Sequence, residues 1–217
     1  MRMAVFGLGS FGRHVALELG RSGHDVLAMD REEERILPVR DHVSRAVVGD
    51  AVDRPTLEKL GIEGIETAIV SLGQNMSGSI LLTLYLSEMK VGRILVEARD
   101  DDHGVVLTKL GADQIIFPER EMAVRLARTL TYPNLVDILP LGPDMALVEM
   151  AAPESFVGRS LRELELRRNY GIQILAVKDP ASTHVEPVLD PAQVIKEKTM
   201  LICLGRTTDL EKLQNQG

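Results

Sequence analysis

The stretch "AVFGLGSFGRHVALELGRSGHDVLAMD", Ala4 to Asp30, sets Gly7, Gly9 and Gly12 at G-x-G-x-x-G spacing. An apolar run precedes Gly7, a helix-period stretch follows Gly12, and an acidic residue, Asp30, closes the next apolar run. In that context each glycine has a task. Gly7 permits a tight turn, Gly9 lets a pyrophosphate approach the backbone, and Gly12 lets a helix lie close against its strand. A helix starting at Ser10 and Phe11 points free N–H groups and its positive dipole end at the phosphates. Asp30 is placed to accept hydrogen bonds from ribose hydroxyls. Its charge opposes a 2′-phosphate and so disfavours NADP, although adjacent Arg31 works in the opposite sense. A degenerate fold with an empty site is the alternative reading of the same glycines.

Two further turns belong beside this crevice. In "VGDAVD", Asp50 is placed to meet an adenine edge and Ala51 its face, while an ordinary helix N-cap at Asp50 explains the same residues. In "SLGQN", Gly73 and Asn75 are candidate ribose or phosphate contacts, and equally a turn and a cap. Arg99, closing "RILVEAR", completes the candidate set.

A reaction centre is missing from this pattern. A dehydrogenase needs a proton donor or acceptor beside its nicotinamide and a pocket for a second substrate. The five histidines, His14, His24, His42, His103 and His184, form no HxH or HExxH pair, and most fall in helix or turn positions that read as solvent-facing. "GRS" at Gly158–Ser160 is no nucleophile elbow. The acids of "RDDDHG" read as a helix start rather than metal ligands. The single cysteine, Cys203, lies in the apolar run "MLICLG" and reads as a buried thiol. It excludes an internal disulfide and a cysteine-based zinc site.

The elements that must position the glycines follow from periodicity. From Met1 to about residue 132, six apolar runs ("RMAVFG", "DVLAMD", "SRAVVGD", "ETAIVSLG", "RILVEAR", "ADQIIFP") alternate with helical stretches. Six strands separated by helices predict an α/β fold, a Rossmann-like doubly wound parallel sheet with both faces covered. Pro38 is expected to shorten or bend the helix of "REEERILPVRD". The rhythm breaks at residues 133–143, where Pro133, Pro140 and Pro143 read as a linker. Residues 144–217 then read as a small α+β domain, expected to gain stability by pairing with another copy.

The 217 residues carry a net charge of −7 with only 3% aromatics, and no run of Lys or Arg offsets the acidity. Nucleic-acid binding is therefore not expected. The chain opens on a strand without signal-peptide character, and no apolar run approaches the ~20 residues that span a bilayer. The expectation is a cytoplasmic protein, unless a partner holds it at a membrane.

Nucleotide binding without chemistry suggests a switch, and the sequence resembles a known family of switches. "FGLGSFGRHVALELGRSGHDVLAMDREEER", "VVGDA", "LGADQIIFPEREMA" and "RSLRELELRRNYGIQILAVK" together resemble the regulator-of-K⁺-conductance family, the cytosolic subunits of Trk/Ktr-type potassium transporters. The resemblance covers essentially the whole chain, and "GADQIIFPE" is far more specific than the glycine loop. It implies a homodimer that assembles further, commonly to an octameric ring, beneath a membrane-spanning potassium transporter subunit. ATP, ADP or NAD(H) in the crevice would change the ring's shape and so gate K⁺ flux. By position, Gly7, Gly9, Gly12, Asp30, Asp50 and Ala51 would be nucleotide contacts. Glu119 matches a glutamate near the phosphates at a subunit seam, which in some relatives helps hold a divalent cation such as Mg²⁺. Where ATP-responsive members carry an arginine after the second glycine, this chain has Ser10. That departure predicts weaker discrimination of ATP from ADP, or use of another arginine such as Arg13. The C-terminal domain of the family dimerises and in some members binds an ion or cyclic di-AMP. Leu161 to Arg167 line the corresponding cleft, though the same leucine spacing serves a core-facing helix. A small NAD-dependent oxidoreductase and a nucleotide-sensing module for another transporter are the competing readings.

Overall fold

The computed structural model describes residues 1–73, 75–131, 135–178, 185–186 and 190–214. The chain divides into two units, Met1–Glu119 and Arg120–Gly217. In the first, β1 (Arg2–Phe6), α1 (Ser10–Arg21), β2 (Asp25–Asp30), α2 (Glu33–Ile36), β3 (Arg45–Val48) and α3 (Arg54–Leu60) come in succession. They are followed by β4 (Thr67–Val70), α4 (Met76–Glu88), β5 (Arg93–Glu97), α5 (Asp101–Lys109) and β6 (Gln114–Ile116), with α6 (Pro118–Thr131) beginning at the unit's end.

All six strands pair in parallel, in the order β3-β2-β1-β4-β5-β6. The expected doubly wound sheet is what forms. Alternate residues of β1 to β5 enter opposite cores, as a pleat of period two requires. On β1, Ala4 and Phe6 join a cluster with Met29, Val70, Leu82 and Leu107, while Val5 joins Leu8, Val26, Ala28 and Ile69 on the other face. Burying side chains of this size stabilises by about 1.5–3 kcal/mol each.

Local signals set the helix ends. Asp53 caps α3, accepting from the Thr56 N–H at 3.3 Å and its hydroxyl at 2.5 Å, and Gly61, at φ 71°, ends it. Left-handed φ is strained for residues with a Cβ, so glycine suits that stop. The helix before Pro38 is cut to the single turn of α2, as its ring and missing N–H dictate.

The second unit contains β7 (Leu135–Pro140), β8 (Met145–Ala151), α7 (Leu161–Leu164), α8 (Leu166–Asn169), β9 (Gln173–Lys178), β10 (Val185–Glu186), β11 (Met200–Arg206) and α9 (Thr207–Gln214). Its sheet is antiparallel, ordered β10-β9-β11-β8-β7. Ala146, Val148 and Met150 of β8 pack with Leu201 and Cys203 of β11, Phe156 and Leu164. Burial pushes the Cys203 thiol up to about 12, so it is inert near neutral pH.

One sequence expectation is corrected here. Part of the stretch read as a linker, Leu135–Pro140, is the edge strand β7, paired with β8. Pro140 misled because Pro is tolerated on an edge, where one row of N–H groups has no partner strand, and Pro133 lies outside the described residues.

Candidate functional site

A cavity of about 470 Å³ opens at the carboxyl ends of the strands in the first unit, where the order reverses between β1 and β4. This is where α/β sheets of this topology hold their ligands. Gly7, Gly9, Ser10 and Phe11 line it from the β1–α1 turn, Asp30 and Arg31 from the end of β2, and Asp50 and Ala51 from the turn after β3. Gly73 and Asn75 follow β4, and Glu119 reaches it from the start of α6.

The three loop glycines separate by physical role. Gly7 sits at φ 87°, and a Cβ there would run into the Ser71 carbonyl oxygen. A Cβ on Gly12 would run into the Gly7 carbonyl, so this glycine sets the approach of helix to strand. Gly9 differs: a Cβ there would meet no protein atom within 4 Å. The protein's own packing does not require glycine at position 9, and the space beside it faces the cavity.

Gly9 is also the N-cap of α1 and supplies no capping side chain, and no acidic residue stands in the first turn. The first ladder bond runs from the Arg13 N–H to the Gly9 carbonyl at 3.1 Å, so the N–H groups of Ser10, Phe11 and Gly12 precede it. A helix start left in this condition is a ready anion cradle.

Asp30 is buried, and its carboxylate ties the loop to β2. Oδ2 accepts the Leu8 N–H at 2.6 Å, and Oδ1 accepts the Glu32 N–H at 3.0 Å. Each oxygen has a second lone pair for a ribose hydroxyl. Asp50 is not the cap of α3, which is Asp53. Its Oδ1 instead accepts the Val52 N–H at 2.9 Å and lies 3.1 Å from Arg31 Nη2. Asn75 does cap α4, its side chain accepting from the Gly78 N–H at 3.0 Å, while still lining the cavity.

Sequence reasoning missed several lining residues. Ser71 donates its hydroxyl to Glu97 Oε2 at 2.5 Å, and both line the cavity with Glu32 and Arg35. Glu97 ends an apolar strand and carries no motif, so nothing local singles it out. In all, Asp30, Glu32, Asp50, Glu97 and Glu119 set five carboxylates against the guanidiniums of Arg31 and Arg35.

Two candidates fall outside the cavity lining. Gly12 acts through helix packing, and Arg99 is exposed, its backbone N–H donating to His103 Nδ1 at 3.2 Å. Arg13 does not line the cavity either. His184 lies outside the described residues; among the described histidines His14 and His42 are exposed and His24 half-buried, while His103 is the exception at 3% exposed. Since Nδ1 accepts from Arg99, the proton sits on Nε2 and is donated to Ser79 Oγ at 2.9 Å, which donates onward to the Met76 carbonyl. Burial lowers its pKa, and the Arg99 charge adds to the effect against the pull of Asp100. Among the described residues no group of three or more His, Cys, Asp or Glu is arranged to hold a metal ion by itself.

In the second unit a cleft of about 470 Å³ is lined by Leu161, Arg162, Leu166, Arg167 and Arg168 among others. Ser160 begins α7 with a reciprocal cap. Its hydroxyl accepts the Glu163 N–H at 3.3 Å, while Glu163 Oε2 accepts the Ser160 N–H at 2.8 Å.

The sheet order and the crevice at its switch point define a doubly wound domain of the kind that holds nucleotides. The TrkA-N domain model matches residues 3–118. The chain is 38% identical to Ktr system potassium uptake protein C of Bacillus subtilis (strain 168), over 98% of this chain and 96% of that protein. It is 36% identical to Ktr system potassium uptake protein A of the same organism, over 100% and 96%. The chain belongs to the TrkA-N domain family of Ktr-type potassium uptake proteins. The GsuK RCK domain shares the fold, with a TM-score of 0.66 at 19% identity over 99% of this chain and 47% of its own. GsuK bound to ADP aligns with a TM-score of 0.53 at 29% identity, over 61% of this chain and 34% of its own. The chain thus spans less than half the length of either solved GsuK chain.

Proposed function

We propose that this chain is a nucleotide-sensing regulatory subunit that gates a membrane-spanning potassium transporter, and that it performs no catalysis. The observation that carries this reading is Gly9, open to the cavity at the uncapped start of α1. Around it the described lining contains carboxylates, serines and paired arginines but no histidine to serve as a hydride-transfer acid or base. The relatives named as potassium uptake proteins supply the transport context, and the ADP-bound GsuK structure favours an adenine nucleotide. ATP, ADP or NAD(H) would then place phosphates at Gly9 to Phe11, ribose at Asp30 and adenine beside Asp50 and Ala51, with Gly73 and Asn75 flanking.

A divalent cation fits this site when a polyphosphate brings part of its coordination. Five lining carboxylates against two guanidiniums repel a bare triphosphate, and Mg²⁺ at Glu119 would offset that repulsion. Such an ion supplies charge neutralisation and bridging, while the chain's own residues bind and orient the nucleotide.

Assembly is supported by α6. Met122, Val124, Leu126 and Leu130 are exposed there, and Met122, Leu126 and Leu130 recur at the four-residue spacing of one helix face. A second copy laid along that face would bury it, and dimers so formed could build an octameric ring. No described helix is long and apolar enough to cross a membrane. The Ktr-type relatives support placing the ring on the inner face of the membrane, held by its transporter. The arginine-lined cleft at Leu161 and Leu166 is a candidate site for cyclic di-AMP, whose phosphates suit its three guanidiniums.

The test is reconstitution. Purified chain is added to vesicles holding a Ktr-type membrane subunit, and K⁺ flux is read with ATP, ADP or no nucleotide. Nucleotide-dependent flux supports the reading. Flux indifferent to nucleotide, or reduction of a carbonyl substrate by NADH, would replace it with one of its competitors.

A further inference from the structure

The ribose end of the cavity holds two guanidiniums, and both are committed. Arg31 Nη2 lies 3.1 Å from Asp50 Oδ1. Arg35 Nη2 lies 2.9 Å from Glu32 Oε1, and its Nη1 3.8 Å from Asp30 Oδ2. All five residues line the one cavity, so three carboxylates face two guanidiniums and the corner is negative by one charge. Asp30 is fixed by the Leu8 and Glu32 N–H groups and cannot turn away. A 2′-phosphate, carrying about −1.5 to −2 charges, would therefore enter a negative corner with no uncommitted cation among the described lining residues.

We propose that the Arg31–Asp50 ion pair is a specificity lock: Asp50 holds Arg31 away from the ribose 2′ position, so that the site rejects 2′-phosphorylated nucleotides. This rests on the nucleotide-binding reading above. Asp50 is the stationary half, because the Oδ1 that faces Arg31 also accepts the Val52 N–H at 2.9 Å. Arg31 is the movable half, with 54% of its side chain exposed on a long, flexible stem. It directly follows Asp30, the residue that faces the ribose. Freed of its partner, the guanidinium has the reach and the geometry to clamp a phosphate. Asp30 thus supplies the repulsion, and the Asp50 pair withholds the arginine that would overcome it.

The test uses ADP-ribose and its 2′-phosphate, which differ only at the group in question. Their affinities are measured by calorimetry on the full chain carrying no substitution, Asp50→Asn, or Arg31→Gln with Asp50→Asn. Asparagine keeps an oxygen for the Val52 N–H and removes the charge that holds Arg31. The unsubstituted protein is expected to prefer ADP-ribose by at least about tenfold, and Asp50→Asn to narrow that ratio by roughly tenfold. The double variant is expected to return it. Taking the ratio cancels any change in the adenine contact that both ligands share. A ratio unmoved by Asp50→Asn, with ADP-ribose still binding, overturns the lock alone. A gain that persists in the double variant overturns it too, since charge removal and not Arg31 would then be responsible. Failure of the unsubstituted chain to bind either ADP-ribose or ADP defeats the nucleotide reading and the lock together.

Discussion

The Leu8 backbone N–H donates to Asp30 Oδ2 at 2.6 Å, joining the glycine turn to the end of the neighbouring strand in a buried setting. The carboxylate proposed to face a ribose is therefore also a structural brace. Asp30→Ala leaves the Leu8 N–H without its partner and is expected to destabilise the ligand-free protein by about 1–3 kcal/mol. Asp30→Asn keeps an acceptor and should lose less stability while still weakening nucleotide binding. Urea unfolding without ligand, compared with calorimetry of ADP binding, separates the two roles.

The two glycines flanking Leu8 should answer substitution in opposite ways. Gly7→Ala adds a Cβ at φ 87° against the Ser71 carbonyl and is expected to cost at least about 1–2 kcal/mol of stability. Gly9→Ala meets no protein atom, and its backbone, at φ −60°, needs no glycine. Its ligand-free stability should stay within about 1 kcal/mol of the parent, while ADP affinity falls by about tenfold or more. Thermal melts with and without ADP read both effects.

His103 gives the first unit an acid-sensitive point. Burial holds its pKa below the ordinary 6.5, so the unfolded chain binds a proton more readily than the folded one. The stability contributed by the neutral ring is fully present above pH 6.5 and is lost as pH falls from there toward the depressed folded value. The slope from this one group is at most ~1.4 kcal/mol per pH unit. In His103→Gln the stability profile between pH 7 and pH 5 should be flatter than in the parent, as chemical denaturation at each pH would show.

In the proposed assembly, the exposed face of α6 forms the contact between copies. Leu126→Glu with Leu130→Glu places charges on a helix surface that is apolar and more than half exposed at both positions. Light scattering should report a smaller oligomer for this variant, with far-ultraviolet circular dichroism unchanged. An unaltered mass would assign dimerisation to another surface.

The sheet was legible because its strands are uniform apolar runs separated by glycine and proline punctuation. Pro55 and Gly61 bracket α3 where helix chemistry puts them. Gly7 and Gly12 were legible for the same reason, since their tasks follow from the turn itself. What escaped is what the tertiary fold brings together from distant sequence. Ser71 and Glu97 meet across adjacent strands, and Arg31 finds Asp50 just past the ends of the neighbouring strands β2 and β3, with no local pattern to announce either pair. His103 escaped because the acids before it form a helix start, which reads as surface, while the ring turns inward to Ser79. The strand at Leu135–Pro140 escaped because Pro140 reads as a strand breaker in sequence, while an edge strand tolerates it.

The most direct test of the central claim is calorimetric titration of the purified chain with ATP and with ADP, each with and without Mg²⁺. Saturable binding of both is predicted, with Mg²⁺ strengthening ATP binding and Glu119→Gln removing that increment. Ser10, standing where an arginine would meet the γ-phosphate, predicts only a modest preference between ATP and ADP. No binding of either nucleotide under any of these conditions would contradict the account, because the cavity at Gly9 would then have no nucleotide to read.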